Sequence, residues 1–546
     1  MLGDLWYKNA IFYSLDVETF FDSDGDGVGD FEGLSRRLDY LESLGIDAVW
    51  LSPFQPSPNR DDGYDVADYY GVDPRYGTLG DFVEFVHQAD SRGIRVVIDL
   101  VVNHTSDRHP WFRDALRGRD SAHHDWYVWS KKRPPDWQSG TVFPGVQEAT
   151  WTFAPDVRKY YFHRFYDFEP DLNMDNPEVR EEIRRIIGFW LELGVAGFRV
   201  DAVPFVIEKP STDGGKNPLE FDYLKEMREF LQWRVGDAVL LGEANVLPRE
   251  TRPYFAEGTG LHMMFNFWVN QHLFYALASG DTAPLAKALR ETSRLPGAAQ
   301  WAHFLRNHDE LDLGRLPDEQ RAAVFGRFGP EPSMQLYGRG IRRRLAPMLG
   351  DPRLNRLAHS LLLSLPGTPV LRYGEEIGMG DDLRLPERNS VRTPMQWSSG
   401  PHGGFTTADK PIKPVVAGGP YGCEHVNVAQ QQRESDSLWR WLTAMIRVRT
   451  ECPEIGWGEC RVVPVRAPGV LALEHRWRGT SVVCVHNFAA DPREVTLRVD
   501  AGRLACLSEN EDSSASDGAH RLSLEPYDYR WYRAETPSGK SRHTRS

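Results

Sequence analysis

In this sequence of 546 residues, acidic and imidazole side chains recur at the ends of short apolar runs. Asp99, Asn103 and His104 close RVVIDLVVNH, Arg199 and Asp201 lie in GFRVDAV, and Glu243 lies in VLLGEAN. Arg306, His308 and Asp309 close WAHFLRNHD, while Tyr64 and Asp65 follow DAVWLSP in the stretch GYD. A single carboxylate at a strand end most often caps a neighbouring helix. Three of them, Asp201, Glu243 and Asp309, accompanied by arginine and histidine and by no cysteine or lysine nucleophile, fit glycosidic-bond chemistry better. One carboxylate attacks the anomeric carbon; a second protonates the leaving oxygen and later deprotonates the acceptor. An adjacent Arg199 would keep Asp201 ionised. The apolar run around Glu243 would raise its pKa, as a general acid requires.

These residues need a scaffold that gathers strand ends into one ring. Eight β-rich runs provide it: 11–17, 47–53, 95–102, 197–203, 239–245, 263–268, 301–307 and 368–374. Several are continuously apolar, as parallel strands covered on both faces are. Amphipathic segments such as 34–45 and 178–194 alternate with them. The pattern predicts an α/β fold, a (β/α)8 TIM barrel whose active site lies at the C-terminal strand ends. The barrel is expected over 1–103 and 174–452, with a small inserted domain over 104–173 after the third strand. Alternating strands then predict a C-terminal antiparallel β-sandwich over 453–534, followed by a polar disordered tail over 535–546.

Composition narrows the function classes. A net charge of −14 disfavours nucleic acid and anionic membranes. No run is long enough to span a bilayer and the N-terminus has no signal-peptide pattern, so a cytoplasmic protein is expected. The five cysteines form no C-x-x-C pair and read as free thiols in a reducing compartment. The loop DSDGDGVGD (22–30) sets oxygen ligands at alternating positions, namely Asp22, Asp24, Asp26, the Val28 carbonyl and Asp30. Such spacing builds a cage for a hard cation.

Four motifs, DLVVNH (99–104), GFRVDAV (197–203), GEAN (242–245) and FLRNHDE (304–310), resemble the α-amylase family, glycoside hydrolase family 13, in its order and spacing. The resemblance implies that Asp201 is the nucleophile, Glu243 the acid/base and Asp309 the carboxylate that grips the 2- and 3-hydroxyls. It implies that Tyr64 stacks on the −1 glucose and that Asp65, His104, Arg199 and His308 line the same subsite. Ca²⁺ or Mg²⁺ is implied in the first loop, with Asn103, Asp171 and Glu208 as ligands of a second cation, and no organic cofactor.

EPDLN (169–173), GIRRRLAPMLGD (340–351), SLPGTPVLRYGEEIGMGD (364–381) and RNSVRTPMQWS (388–398) resemble the trehalose-synthase group of that family. This implies interconversion of maltose and trehalose through a covalent glucosyl-enzyme, with Arg392 reaching across the pocket mouth. The alternative is an α-glucosidase hydrolysing trehalose, maltose or another small α-glucoside. The expected partner is a disaccharide; a homo-oligomer is left open. Glu169, Gly242 and Arg372 stand where relatives usually have Gln, Ala and Tyr.

Overall fold

The computed structural model describes residues 3–535 except 214, 216, 508–511 and 517, so the predicted tail lies, apart from Glu535, outside the described residues. All eight predicted runs are strands: β1 (Phe12–Leu15), β2 (Ala48–Leu51), β3 (Arg95–Leu100), β4 (Gly197–Val200), β5 (Val239–Gly242), β6 (Met263–Phe265), β7 (Gln300–Phe304) and β8 (Thr368–Arg372). They close into one barrel in the order β1-β8-β7-β6-β5-β4-β3-β2, every pairing parallel.

Strand periodicity explains both the core and the site. Alternate side chains point inward, and Phe12, Ala48, Trp50, Val97, Val239, Leu241, Met263, Phe265, Ala302, Phe304 and Val370 pack into the barrel interior. Two residues further along, the same inward register turns polar: Asp99 follows Val97, Glu243 follows Leu241, and Arg372 follows Val370. On β4 the inward line runs through Arg199 to Asp201. The opposite register, with Tyr13, Leu15, Val49, Ile98 and Phe198, packs against surrounding helices that include Leu79–Ser91, Pro177–Glu192 and Pro352–Ser364. An apolar plug thus fills the barrel and a polar ring sits on top of it.

The chain between β3 and β4 carries a three-stranded antiparallel sheet of Trp129–Ser130, Lys159–Phe162 and Trp151–Ala154. Its strands have two to four residues, too short to leave a periodicity in the sequence. After helix Leu438–Thr450 the chain forms a six-stranded antiparallel sheet, with a two-stranded sheet of Arg493–Leu497 and His520–Leu524 packed on it. In the strand Val470–Trp477, Val470 and Ala472 face this smaller sheet, while Leu471 and Leu473 join the core shared with the barrel helices. The four-residue strand Arg503–Cys506 was not predicted. No disulfide joins the five cysteines among the described residues, and Cys423, Cys452 and Cys484 are buried. Among the described residues no helix is long and apolar enough to cross a membrane.

Candidate active site

A cavity of about 460 Å³ opens at the C-terminal ends of the strands, and Tyr64, His104, Asp201, Glu243, His308 and Asp309 all line it. Beneath them the Arg199 guanidinium is 1% exposed and is shared among three carboxylates. Its Nη1 donates to Asp201 Oδ1 at 2.6 Å and also to Asp99 Oδ1, while Nη2 donates to Glu243 Oε2 at 2.6 Å. Asp99 is fixed from the other side by the Trp50 indole N–H at 3.0 Å. Ala202, next after Asp201, adopts a left-handed conformation (φ 46°), and its N–H donates to Glu243 Oε2 at 3.3 Å. A non-glycine residue in that region stores strain, which is common where a site fixes a reacting group.

Burial and charge set the protonation states. Burial pushes Glu243 up to about 7, against the pull of Arg199, and pushes Asp201 up to about 6 in the same way. Burial also acts on Asp309, but His308, Arg388 and Arg392 overcome it and hold that carboxyl well below the usual range. His104 and His308 are driven down to about 4 by burial, so both are neutral hydrogen-bonding groups near neutral pH. Asp309 is therefore ionised near neutral pH, and of the two carboxyls under Arg199 it is Glu243 that holds its proton to the higher pH. Such separated values are what acid/base and nucleophilic roles demand of paired carboxylates.

Tyr64 stacks on His308 (centroids 5.6 Å apart, planes 18° apart), and its hydroxyl lies 2.9 Å from His308 Nε2. Arg199 lies beneath the lining rather than in it, and two other residues expected at the site stand elsewhere. Asp65 is fully buried outside the cavity lining, where it accepts from Ser57 Oγ at 2.7 Å and Arg60 N at 3.1 Å; it braces the loop that presents Tyr64. Arg392 does not reach across the mouth. It is buried behind the wall, donating from Nε to the His308 carbonyl at 2.8 Å and from Nη2 to Asp309 Oδ1 at 2.9 Å. Of the arginines on the cavity wall, which also include Arg315 and Arg339, Arg388 holds Asp309 Oδ1 at 2.9 Å and Asp61 at 2.8 Å. Sequence reading singled out neither Arg388 nor Asp61. Arg388 and Arg392 stand four residues apart in RNSVR, around the short 3-10 turn Glu387–Val391, and both guanidinia reach Asp309 Oδ1.

In the first loop, carboxylate oxygens of Asp22, Asp24 and Asp30 lie within 4.8 Å of one another. No Lys or Arg ion pair is recorded to these three among the described residues, so the donor set fits a hard divalent cation. Asp26 is outside that group and caps the Val28 N–H at 2.7 Å. The second expected set is occupied differently: the Arg164 guanidinium pairs with Glu208, and the Arg164 N–H donates to Asp171 Oδ1 at 2.8 Å. A protein cation thus takes the position beside Asp171 and Glu208 that Asn103, Asp171 and Glu208 were expected to offer a metal.

The family model described as the α-amylase catalytic domain matches residues 17–323 and 342–458, and a sucrose hydrolase-like C-terminal domain model matches 479–533. A trehalose synthase of Thermus thermophilus is 42% identical over 97% of this chain, which spans 55% of that relative's length. A trehalose synthase/amylase of Mycolicibacterium smegmatis is 40% identical, covering 97% of this chain and 93% of its own. The crystal structure of the trehalulose synthase MutB of Pseudomonas mesoacidophila superposes with a TM-score of 0.77 at 27% identity, covering 97% of this chain and 99% of that one.

Proposed function

The chain belongs to the α-amylase family, glycoside hydrolase family 13, and on that premise we propose that it is a retaining glucosyl-transferring enzyme that interconverts maltose and trehalose. The observation that carries this reading is the single Arg199 guanidinium that clamps Asp201 and Glu243 together beside Asp309 at one cavity. Carboxylates held by the two ends of one guanidinium stay close. Retaining pairs sit about 5–5.5 Å apart, whereas inverting pairs need roughly 6.5–9.5 Å to admit water.

In the forward direction the Asp201 carboxylate attacks C1 of the non-reducing glucose of maltose. Glu243 gives its proton to the glycosidic oxygen, which leaves as the 4-hydroxyl of free glucose. That glucose turns within the cavity, its 1-hydroxyl passes its proton to Glu243, and the resulting oxygen displaces Asp201 from C1, forming the α-1,1 bond. Asp309, ionised by its two arginines, hydrogen-bonds the 2- and 3-hydroxyls, and Tyr64 stacks beneath the ring. Asp99 and Arg199 hold the nucleophile. Asp22, Asp24 and Asp30 would hold Ca²⁺ or Mg²⁺, which supplies charge neutralisation to the loop and takes no part in the transfer.

Hydrolysis is the second reading, favoured by the Mycolicibacterium smegmatis relative, a trehalose synthase/amylase. Both readings share the glucosyl-enzyme and differ in whether glucose or water intercepts it. Incubating the protein separately with maltose and with trehalose, and following every sugar by chromatography, tests them. Interconversion with little glucose supports the isomerase, and mostly glucose supports the hydrolase. Consumption of neither sugar sinks the isomerase and leaves hydrolysis of another small α-glucoside.

A further inference from the structure

We infer that Lys413, far from every motif that carries the chemistry, is a positioning residue for the glucosyl transfer, acting on Asp309 through Asp62 and Arg392. Its Nζ donates to Asp62 Oδ1 at 2.8 Å and lies 3.0 Å from Glu18 Oε1. Asp62 in turn pairs with Arg392 Nη1, and Arg392 Nη2 donates to Asp309 Oδ1 at 2.9 Å. Arg392 Nε simultaneously holds the His308 carbonyl at 2.8 Å, so one guanidinium fixes both neighbours of the −1 position. The sequence of charges is therefore Lys413, Asp62, Arg392, Asp309, alternating in sign. Lys413 and Arg392 both border a small space of about 20 Å³ that is lined also by Tyr64 and His308, two residues of the main cavity wall.

The alternation explains why Lys413 matters. Arg392 is shared between two carboxylates, and buried charge pairs are sensitive to how each partner is compensated. Lys413 is one of the two cations that compensate Asp62. Without it Asp62 draws on Arg392 alone, and the guanidinium moves off Asp309. The other partners of Glu18 cannot substitute: Asn59 Nδ2 and Tyr76 OH, both at 3.2 Å, are neutral, and Arg75 at 3.6 Å reaches Glu18 and not Asp62. The segment bearing Lys413 is pinned in turn. The Ile412 N–H donates to the Gly27 carbonyl at 2.8 Å, and the Thr406 hydroxyl donates to Asp22.

This inference rests on the reading of Asp309 as the carboxylate that grips the transferring sugar. The test is a double-mutant cycle of Lys413→Met and Asp62→Asn, with Lys413→Arg and Asp309→Asn alongside, reading kcat and KM for total maltose consumption and Tm. Lys413→Met should lower kcat about 10- to 100-fold, the scale of a sub-ångström misplacement, with KM changed less than threefold. Lys413→Arg should recover most of the loss, and the double variant should be no slower than the slower single one. Should Lys413→Met fail to fold, Asp62→Asn, which leaves Lys413 its Glu18 partner, carries the same expectation for kcat. A lowered Tm with kcat intact, or single effects that multiply in the double variant, would overturn the inference. If Asp309→Asn is inactive while Lys413→Met is fully active, only the role of Lys413 fails; if Asp309→Asn retains full kcat, the functional reading beneath it fails too.

Discussion

The two carboxylates under Arg199 make opposite demands on the proton, and the pH dependence follows from them. Activity needs Asp201 ionised and Glu243 protonated, and the two are set to about 6 and about 7. The profile of kcat/KM should be a narrow bell, rising as Asp201 loses its proton and falling as Glu243 does, with both limbs belonging to the coupled pair. Glu243→Gln should abolish the alkaline limb and lower kcat by about 10²–10⁴-fold. The same burial predicts a stability effect of fixed sign. Glu243 binds its proton more tightly folded than unfolded, so its contribution is full below the ordinary carboxyl value and is lost as pH rises toward about 7. Urea midpoints of Glu243→Gln should therefore exceed those of the parent above pH 7 and converge with them in acid; a constant difference across pH would refute this. Asp201, Glu243, Asp309, His104 and His308 could be read from the sequence as lining one pocket because each lies within a few residues of a strand end, whereas Tyr64, in the loop after β2, was legible through the family resemblance. Asp61 and Lys413 lie in loops and Arg388 in the short 3-10 turn Glu387–Val391, away from the strand ends, and tertiary pairing is what brings them near the ring.

At the scale of elements, the strands were legible because burial on both faces leaves continuous apolar runs, and the turn from apolar to polar in the inward register marked the active end. The short strands after β3 and the strand Arg503–Cys506 lack that length and were not. The acidic first loop is an element whose glycines are explained by its neighbours. Gly27 has φ +97°, and a Cβ there would lie 2.4 Å from the Lys410 carbonyl oxygen. Gly27→Ala should push the 405–413 segment off the loop and destabilise the protein by about 1–3 kcal/mol, within the range for strained backbone positions. Chelation with EDTA should lower the Tm of the parent, and added Ca²⁺ or Mg²⁺ should restore it. In Asp22→Ala, which removes one of the three converging carboxylates, the Tm should not respond to either treatment. An equal EDTA response in parent and variant would place the cation elsewhere.

At the scale of the whole molecule, the partition between isomerisation and hydrolysis is a question of how the barrel, the chain inserted after β3 and the long β7–β8 connection meet over the cavity. Phe143, from the insertion, packs on Tyr337 (centroids 5.1 Å apart) and lies under the Arg388 guanidinium at 4.9 Å. Arg339 ties the same two regions through the backbone, donating from Nη1 to the Val142 carbonyl at 2.9 Å while Nε holds Asp312 at 3.1 Å. Val142, Phe143 and Arg339 all line the cavity, so this clasp forms part of its roof. A glucosyl-enzyme waiting for glucose to turn is exposed to water whenever the roof opens, and excluding water is what an isomerase must do beyond a glucosidase. A hydrogen bond from a charged donor contributes about 1.5–3 kcal/mol. Removing it should raise the open population and, with it, the share of turnovers that end in two glucoses. Arg339→Ala should accordingly increase the ratio of glucose to isomerised disaccharide by about three- to tenfold, while total substrate consumption, which depends on Asp201 and Glu243, changes less. If consumption collapses with the product ratio unchanged, Arg339 supports the site's geometry rather than its closure. If the ratio rises as expected, the choice between transfer and hydrolysis lies in contacts between distant segments, made by a barrel whose chemical ring stays the same.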